Sequence, residues 1–183
     1  MSSTIIIFGV LSLPVIILSW RTLFNIRSHG FSRFISWECI IWLFANNYLF
    51  WFKDPLKLNQ IFSWILLFIS AYLVIAGVLL MKKFGKASKM RDENSLYQFE
   101  QTTELVDCGI FKYIRHPLYS SLIFLTWGIL LKNPDLQLLI ISIVSTIFLY
   151  FTAVFDEKEC IQYFGNKYID YKKRSKMFIP FIF

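Results

Sequence analysis

Two stretches flanked on both sides by charged residues carry no charged side chain for twenty residues or more. Gln60 to Met81 is one, 22 residues long, and Leu136 to Phe155 is the other, 20 residues long. A helix rises about 1.5 Å per residue, so either run covers the roughly 30 Å hydrocarbon layer of a bilayer. Three more apolar runs accompany them. Thr4 to Trp20 is charge-free and contains Pro14, which is expected to kink it. Phe34 to Phe52 holds one ionisable residue, Glu38, placed close to its start. Pro117 to Leu131 has only 15 residues. It is short for a straight span and is expected either to begin nearer Gly109 or to form a hairpin with the next run through Lys132-Asn133-Pro134-Asp135. The fold class expected is all-α: an integral membrane helical bundle of about five transmembrane helices, with a C-terminal cytoplasmic amphipathic helix from Asp156. Residues 1–183 form one membrane domain, with three spans in 1–81 and a ligand-binding part in 82–183. The composition agrees: 17% of residues are charged, against about 25% in soluble domains. No basic residue precedes the first run, so it reads as a retained span rather than a cleaved signal peptide.

The charges lie between the runs. Residues 21–33 carry three Lys/Arg, 82–116 carry seven, and the tail from Asp156 carries six, whereas only Lys53, Lys57 and Lys132 fall in the other loops. Basic loops stay cytoplasmic, so the N-terminus is expected outside and the C-terminus inside. The net charge of +7 is thereby assigned to topology and anionic headgroups, and no nucleic-acid partner is expected. The stretch 82–115 mixes charges with Phe84, Leu96, Tyr97 and Phe99, which suits an ordered surface segment. Cys39, Cys108 and Cys160 form no CxxC pair, and His29 and His116 are the only histidines, so neither a disulfide framework nor a metal site is expected. His29, in a basic loop, is expected to be solvent-exposed. Gly77, beside Ala76, is expected to admit a close helix approach.

Two stretches can carry chemistry. In the first, Arg115 and His116 stand side by side before Pro117, a residue suited to the first position of a helix. Charged groups at a bilayer border cost free energy unless they are paired or bind something. The N–H groups of a helix start around His116 suit a carboxylate. Phe111, Tyr113 and Tyr119 add aromatic faces. The plainer alternative is a basic anchor with a snorkelling Arg and interfacial tyrosines. The second stretch is Asp156-Glu157-Lys158-Glu159-Cys160, followed by Phe164-Gly165, Tyr168, Tyr171 and Lys172-Lys173-Arg174. By itself it reads as a solvated Glu/Lys helix with a headgroup-binding patch.

Taken together the two stretches are more specific. The run from Thr103 to Tyr119, with Leu105-Val106, Gly109, Phe111 and Arg115-His116-Pro117-Leu118-Tyr119, resembles the signature of the isoprenylcysteine carboxyl methyltransferase family and its phospholipid methyltransferase relatives. The block from Asp156-Glu157 through Phe164-Gly165, Tyr168 and Tyr171 to Pro180 resembles that family's second signature. The likeness covers residues 103–183. It implies an integral membrane methyltransferase that uses S-adenosylmethionine and has no soluble methyltransferase domain. By position, it implies that Thr103, Glu104, Leu105, Val106, Phe111, His116, Pro117, Leu118, Tyr119, Asp156 and Glu157 hold the cofactor, and the aromatic reading adds Tyr113. The cofactor's carboxylate is expected at N–H groups around His116, with Asp156 or Glu157 facing its amino group and sulfonium. The acceptor is expected to be a lipid-like or prenylated molecule arriving sideways through the membrane. O-methylation of an isoprenylcysteine-like carboxylate is favoured over N-methylation of a phospholipid or methylation of a thiol. Where the prenylcysteine branch commonly has an Arg one turn before the acidic pair, this chain has Thr152. Where many relatives have an Arg before the last apolar-Ile-Pro triplet, it has Met177. Arg174, near Lys176, is then expected at the reacting centre together with Glu157. Two other classes remain: a non-catalytic membrane protein that binds anionic lipid through its basic loops, and a membrane reductase of the sterol-reductase kind.

Overall fold

The computed structural model describes residues 2–20, 22–24, 28–86 and 100–182. The expectations for Arg21, Arg27, Leu96, Tyr97 and Phe99 lie outside those residues. Six α-helices form among them: α1 Ser2–Ser19, α2 His29–Asn47, α3 Leu58–Phe84, α4 Pro117–Leu130, α5 Leu136–Phe164 and α6 Asn166–Arg174. Two short 3-10 turns, Tyr48–Phe50 and Gly109–Lys112, complete the regular structure. Helices α3 and α5 are long and apolar enough to cross a membrane, while Ser3–Ser19 and Pro117–Leu130 are shorter apolar helices.

Helices consecutive in the chain run antiparallel, and small polar side chains set the register of the bundle. Ser12 Oγ donates to Glu38 Oε2 at 2.6 Å between α1 and α2. Glu38 therefore sits midway along α2, because that helix begins five residues before the apolar run that marked its start. Ser36 Oγ donates to Ser145 O at 3.1 Å, joining α2 to α5. Ser63 Oγ reaches Gly128 O at 2.6 Å and Ser70 Oγ reaches Ser121 O at 2.7 Å, so α3 and α4 lie side by side. Among helices that are all apolar, burial against lipid offers little drive for association, and such hydrogen bonds with close packing supply it. The principal apolar core, Ile40, Leu43, Ile129, Leu130 and Leu138, lies where α2, α4 and α5 meet.

That register positions the site. Pro117 and Leu118 pack on Gly77 of α3, where an added Cβ would stand 3.2 Å from Leu118 Cδ2 and 3.4 Å from Pro117 Cγ. The close approach expected at Gly77 is thus between α3 and the start of α4. Helix α3 runs on from there to Phe84. At about 1.5 Å per residue, His116 is set about 10 Å back from the end of α3. Helix α5 continues nine residues past Phe155 to Phe164, carrying Asp156, Glu157 and Glu159 on the same rigid rod as its apolar part. Gly165, at φ +60°, turns the chain into α6, a conformation that costs a residue with a Cβ about 1 kcal/mol or more.

The opposite end of the bundle is closed by Lys132. Its Nζ lies 3.7 Å from the centroid of Trp64 and 5.3 Å from that of Trp51, and it donates to Gln60 Oε1 at 3.2 Å. Gln60 Nε2 in turn donates to Lys132 O at 2.8 Å. Burial depresses the Lys132 pKa, and the ring faces partly replace the water that the ammonium loses.

Candidate active site

The segment from Glu100 to His116 is tied down at three places. Arg33 Nη1 of α2 meets Glu100 Oε2 at 2.9 Å and Oε1 at 3.2 Å, with both side chains under a tenth exposed. The N–H groups of Thr103 and Glu104 donate to Gly85 O at 2.9 and 3.1 Å, fixing the segment to the end of α3. Residues 113–116 then pair with the tail as a short parallel bridge. Lys176 N–H donates to Tyr113 O at 2.9 Å, Arg115 N–H to Lys176 O at 2.8 Å, and His116 N–H to Met177 O at 3.2 Å. This corrects one expectation. The N–H groups of Arg115 and His116 are used by the tail and do not wait for a carboxylate. The first helical bond of α4 is Ser120 N–H to His116 O at 2.9 Å, and Pro117 has no N–H. The donors left at that helix start are those of Leu118 and Tyr119.

The acids of α5 each meet a base from another element. Glu157, 3% exposed, is met by Arg115 Nε at 2.8 Å, by His116 Nε2 at 3.4 Å and by Lys172 Nζ of α6. Arg115 also donates through Nη1 to Ser175 O and, at 3.3 Å, to Lys172 O. Asp156 Oδ2 lies 3.4 Å from His116 Nδ1, and Asp156 Oδ1 accepts from Cys160 Sγ at 3.7 Å. Glu159 Oε2 lies 2.6 Å from His29 Nδ1. His29 is 0% exposed, which corrects the expectation that it faces solvent: α2 starts at His29 itself, so the residue belongs to a packed helix end and not to a loop. His29, Asp156 and Glu159 also lie close enough to share an ion, but His29 and Glu159 already form a direct pair. Burial alone would lower the pKa of His116. The carboxylates of Asp156 and Glu157 outweigh it and hold the imidazole above its ordinary value.

These elements enclose a cleft. Of the residues expected to hold a cofactor, Leu105, Val106, Phe111, His116, Pro117, Leu118, Tyr119 and Asp156 line it. Glu157 stands behind His116, bonded to it. Thr103 and Glu104 line an adjoining, more polar cleft with Leu105, Phe164, Lys167 and Arg174. Arg174 is exposed and paired with Asp107. Tyr113 is 44% exposed and meets the Phe181 ring at 5.8 Å. Sequence reasoning did not place Glu100, Thr102, Arg115, Tyr168 or Tyr171 in the site, yet all five line the cleft. The tyrosines carried a signal. They stand three residues apart in α6, whose other residues are polar except Ile169, and both are buried, at 3% and 2% exposure. Tyr171 Oη donates to Phe111 O at 2.7 Å, joining the two signatures directly. Burial pushes both phenols up, so they stay neutral.

The cleft is therefore a recessed chamber with a carboxylate, two first-turn N–H groups and aromatic faces, at the end of the bundle where α4 begins and α5 turns polar. Residues 58–167, more than half of the chain, match the model of the phospholipid methyltransferase family. The chain belongs to that family. Among curated relatives it is 25% identical over 179 residues to methanethiol S-methyltransferase 1 of Bradyrhizobium diazoefficiens, covering 97% of this chain and 54% of that protein. It is 30% identical over 148 residues to the protein-S-isoprenylcysteine O-methyltransferase of Homo sapiens, covering 77% of this chain and 49% of that one. The corresponding protein of Saccharomyces cerevisiae is 30% identical over 152 residues, or 79% and 59%. The chain spans about half the length of the curated relatives it matches. No solved structure matches it.

Proposed function

We propose that this chain is an integral membrane methyltransferase that uses S-adenosylmethionine and acts on a lipid-like acceptor within the bilayer. One observation carries the reading. Segments 103–119 and 156–171, far apart in sequence, close around a single cleft, with His116 within 3.4 Å of both Asp156 and Glu157. The residues present fit such a cofactor. Asp156 offers a carboxylate to its cationic groups, Leu118 and Tyr119 offer N–H donors to its carboxylate, and Phe111, Tyr119, Tyr168 and Tyr171 offer ring faces. A cation over such a face gains roughly 0.5–2 kcal/mol. When bound, the cofactor supplies an electrophilic methyl group. Thr103 and Glu104, in the adjoining cleft, extend the same site toward the cytoplasm.

The protein's part is alignment and desolvation. Arg115 and Lys172 neutralise Glu157, which holds His116 against the cleft wall, while Asp156, on the other ring nitrogen of His116, lines the chamber. The stacked ring of Tyr119, 5.4 Å from that of His116, shields the chamber from the apolar side. Holding donor and acceptor in line near contact distance replaces a bimolecular encounter, and this is the chief source of rate in a displacement needing no covalent enzyme intermediate. Five crossings would leave the N-terminus outside and the chamber and α6 at the cytoplasmic face, with the exposed Lys173 toward anionic headgroups. Residues 1–81 are the scaffold and 82–183 the catalytic part of one domain.

Isothermal titration of S-adenosylhomocysteine into purified protein tests the reading. Wild type is expected to bind, and His116→Ala and Glu157→Gln to lose binding at least tenfold. Unchanged titrations for both variants would overturn the site. Absence of binding by wild type, with salt-dependent binding to anionic vesicles, would favour the lipid-binding alternative.

A further inference from the structure

Among the described residues, two that line the donor chamber are carboxylates, and they come from different elements. Asp156 belongs to α5 and sits 3.4 Å from His116 Nδ1. Glu100 opens the segment that runs to His116 and is 7% exposed. Both acids act electrostatically on the Tyr119 phenol, so both bear on one part of the chamber. Asp156 already has a part in the proposed site, and Glu100 has none. Neither Glu100 nor its partner Arg33 belongs to the two signatures.

The Arg33–Glu100 pair is unusual in its setting. Arg33 Nη1 holds both carboxylate oxygens, and both side chains are under a tenth exposed. Desolvation of two buried ions cancels much of their attraction, so stability alone gives little reason for such a pair. Its orientation supplies one. Arg33 stands on α2 and does not line the chamber, whereas Glu100 does. The chamber meets the acid, while the cation that a buried carboxylate needs is kept behind it.

The methyl donor carries two positive groups, an ammonium and a sulfonium. The ammonium shares a carbon with the donor's carboxylate. With that carboxylate at the N–H groups of Leu118 and Tyr119, the ammonium falls to Asp156, which pairs with His116 at the same helix start. The sulfonium lies further along the donor and falls to the second acid. Resting on the methyl-transfer reading, we propose that Glu100, positioned by Arg33, faces the sulfonium and so lets the chamber tell the methyl donor from its spent product. Opposite charges attract more strongly where water is excluded. Transfer of the methyl group leaves a neutral thioether, which forfeits that attraction and is held by the remaining contacts alone.

The test is isothermal titration of two ligands into purified protein in neutral nanodiscs. Sinefungin carries an ammonium where the donor has its sulfonium, and S-adenosylhomocysteine is neutral there. Glu100→Gln is expected to weaken sinefungin at least fivefold and S-adenosylhomocysteine less than twofold. Arg33→Gln is expected to show the same split, and Arg33→Lys, which returns the cation, to bind sinefungin within twofold of wild type. Asp156→Asn is expected to weaken both ligands alike, since both carry the other ammonium. A Glu100→Gln sample found unfolded by circular dichroism gives way to Glu100→Asp, which keeps the pair, draws the charge back by one methylene and is expected to show a split of at least twofold. Equal weakening of both ligands by the Glu100 variant, or of neither, overturns the inference while the donor site stands. Binding of neither ligand by wild type overturns the donor reading itself, and the inference with it.

Discussion

Glu157 collects three positive groups, from the loop before α4, from His116 and from α6. Arg115 is the one whose removal reads most clearly, because it also binds two carbonyl oxygens of the 172–175 turn. Removing one partner of a buried ion pair costs about 3 kcal/mol or more. Arg115→Ala is expected to lower the melting temperature and weaken S-adenosylhomocysteine at least tenfold, measured by thermal shift and titration on one preparation. His116 supplies a pH signature. Its pKa is raised in the folded protein, so its stabilising contribution is complete below about pH 6.5, the unfolded value, and fades as pH rises through the folded value. The Tm difference between wild type and His116→Gln is therefore expected to be largest in mild acid and to shrink toward alkaline pH. A difference independent of pH would mean that the imidazole acts through packing alone. At this scale the sequence was informative where a residue type is costly in its setting. Adjacent Arg115 and His116 before a helix-starting proline, and paired acids after an apolar run, both demand partners. It was silent where the partner is a backbone atom, which is why the tail's capture of the Arg115 and His116 N–H groups was not legible.

Helix boundaries shifted at α2, α3 and α5, where apolar content was used to place them, and held at α4. Helix α2 begins at His29, five residues before its apolar run, because Ser28 caps it by accepting from Phe31 N–H at 3.2 Å. Helix α5 runs past Phe155 because nothing in Asp156–Phe164 breaks a helix until Gly165. Polarity marks where a helix leaves lipid, not where its hydrogen bonds stop. The recess of the site is also an element-scale property, set by how α4 sits on α3. Gly77→Val adds methyl groups where Leu118 and Pro117 already touch, and overpacking of this kind costs about 1–3 kcal/mol. The start of α4 is expected to shift and S-adenosylhomocysteine binding to fall at least tenfold, whereas Gly9→Ala, at a position with nothing within 4 Å, leaves both unchanged. At the far end, Trp64→Ala strips one face from the Lys132 ammonium. A lower melting temperature with cofactor affinity within twofold of wild type is expected, since that cage lies at the other end of the bundle.

Across the molecule, the antiparallel order of α1 to α5 brings residues 22–24, 85–86, 100–116 and 165–182 to one end and the 47–58 and 131–135 turns to the other. Charge asymmetry alone had already put the Arg-His-Pro stretch and the last helix together. Contacts such as Tyr171 with Phe111 could be approached only through the paired signatures. Single-cysteine labelling in sealed inverted vesicles is expected to modify Lys173→Cys from the cytoplasmic side and Lys53→Cys only after permeabilisation. The reverse pattern would contradict the proposed orientation.

The parallel bridge between Tyr113–His116 and Lys176–Met177 sets a timetable for maturation. Helices α3 and α5, long and apolar enough to cross a bilayer, can form while the chain is still being made, but the back of the chamber is a strip of polypeptide translated about sixty residues after the histidine it supports. A nascent chain arrested at Arg174 should hold its helices and yet fail to bind S-adenosylhomocysteine, the ligand of the proposed site. On the proposed reading, competence to bind the donor would then await the arrival of the segment around Phe178.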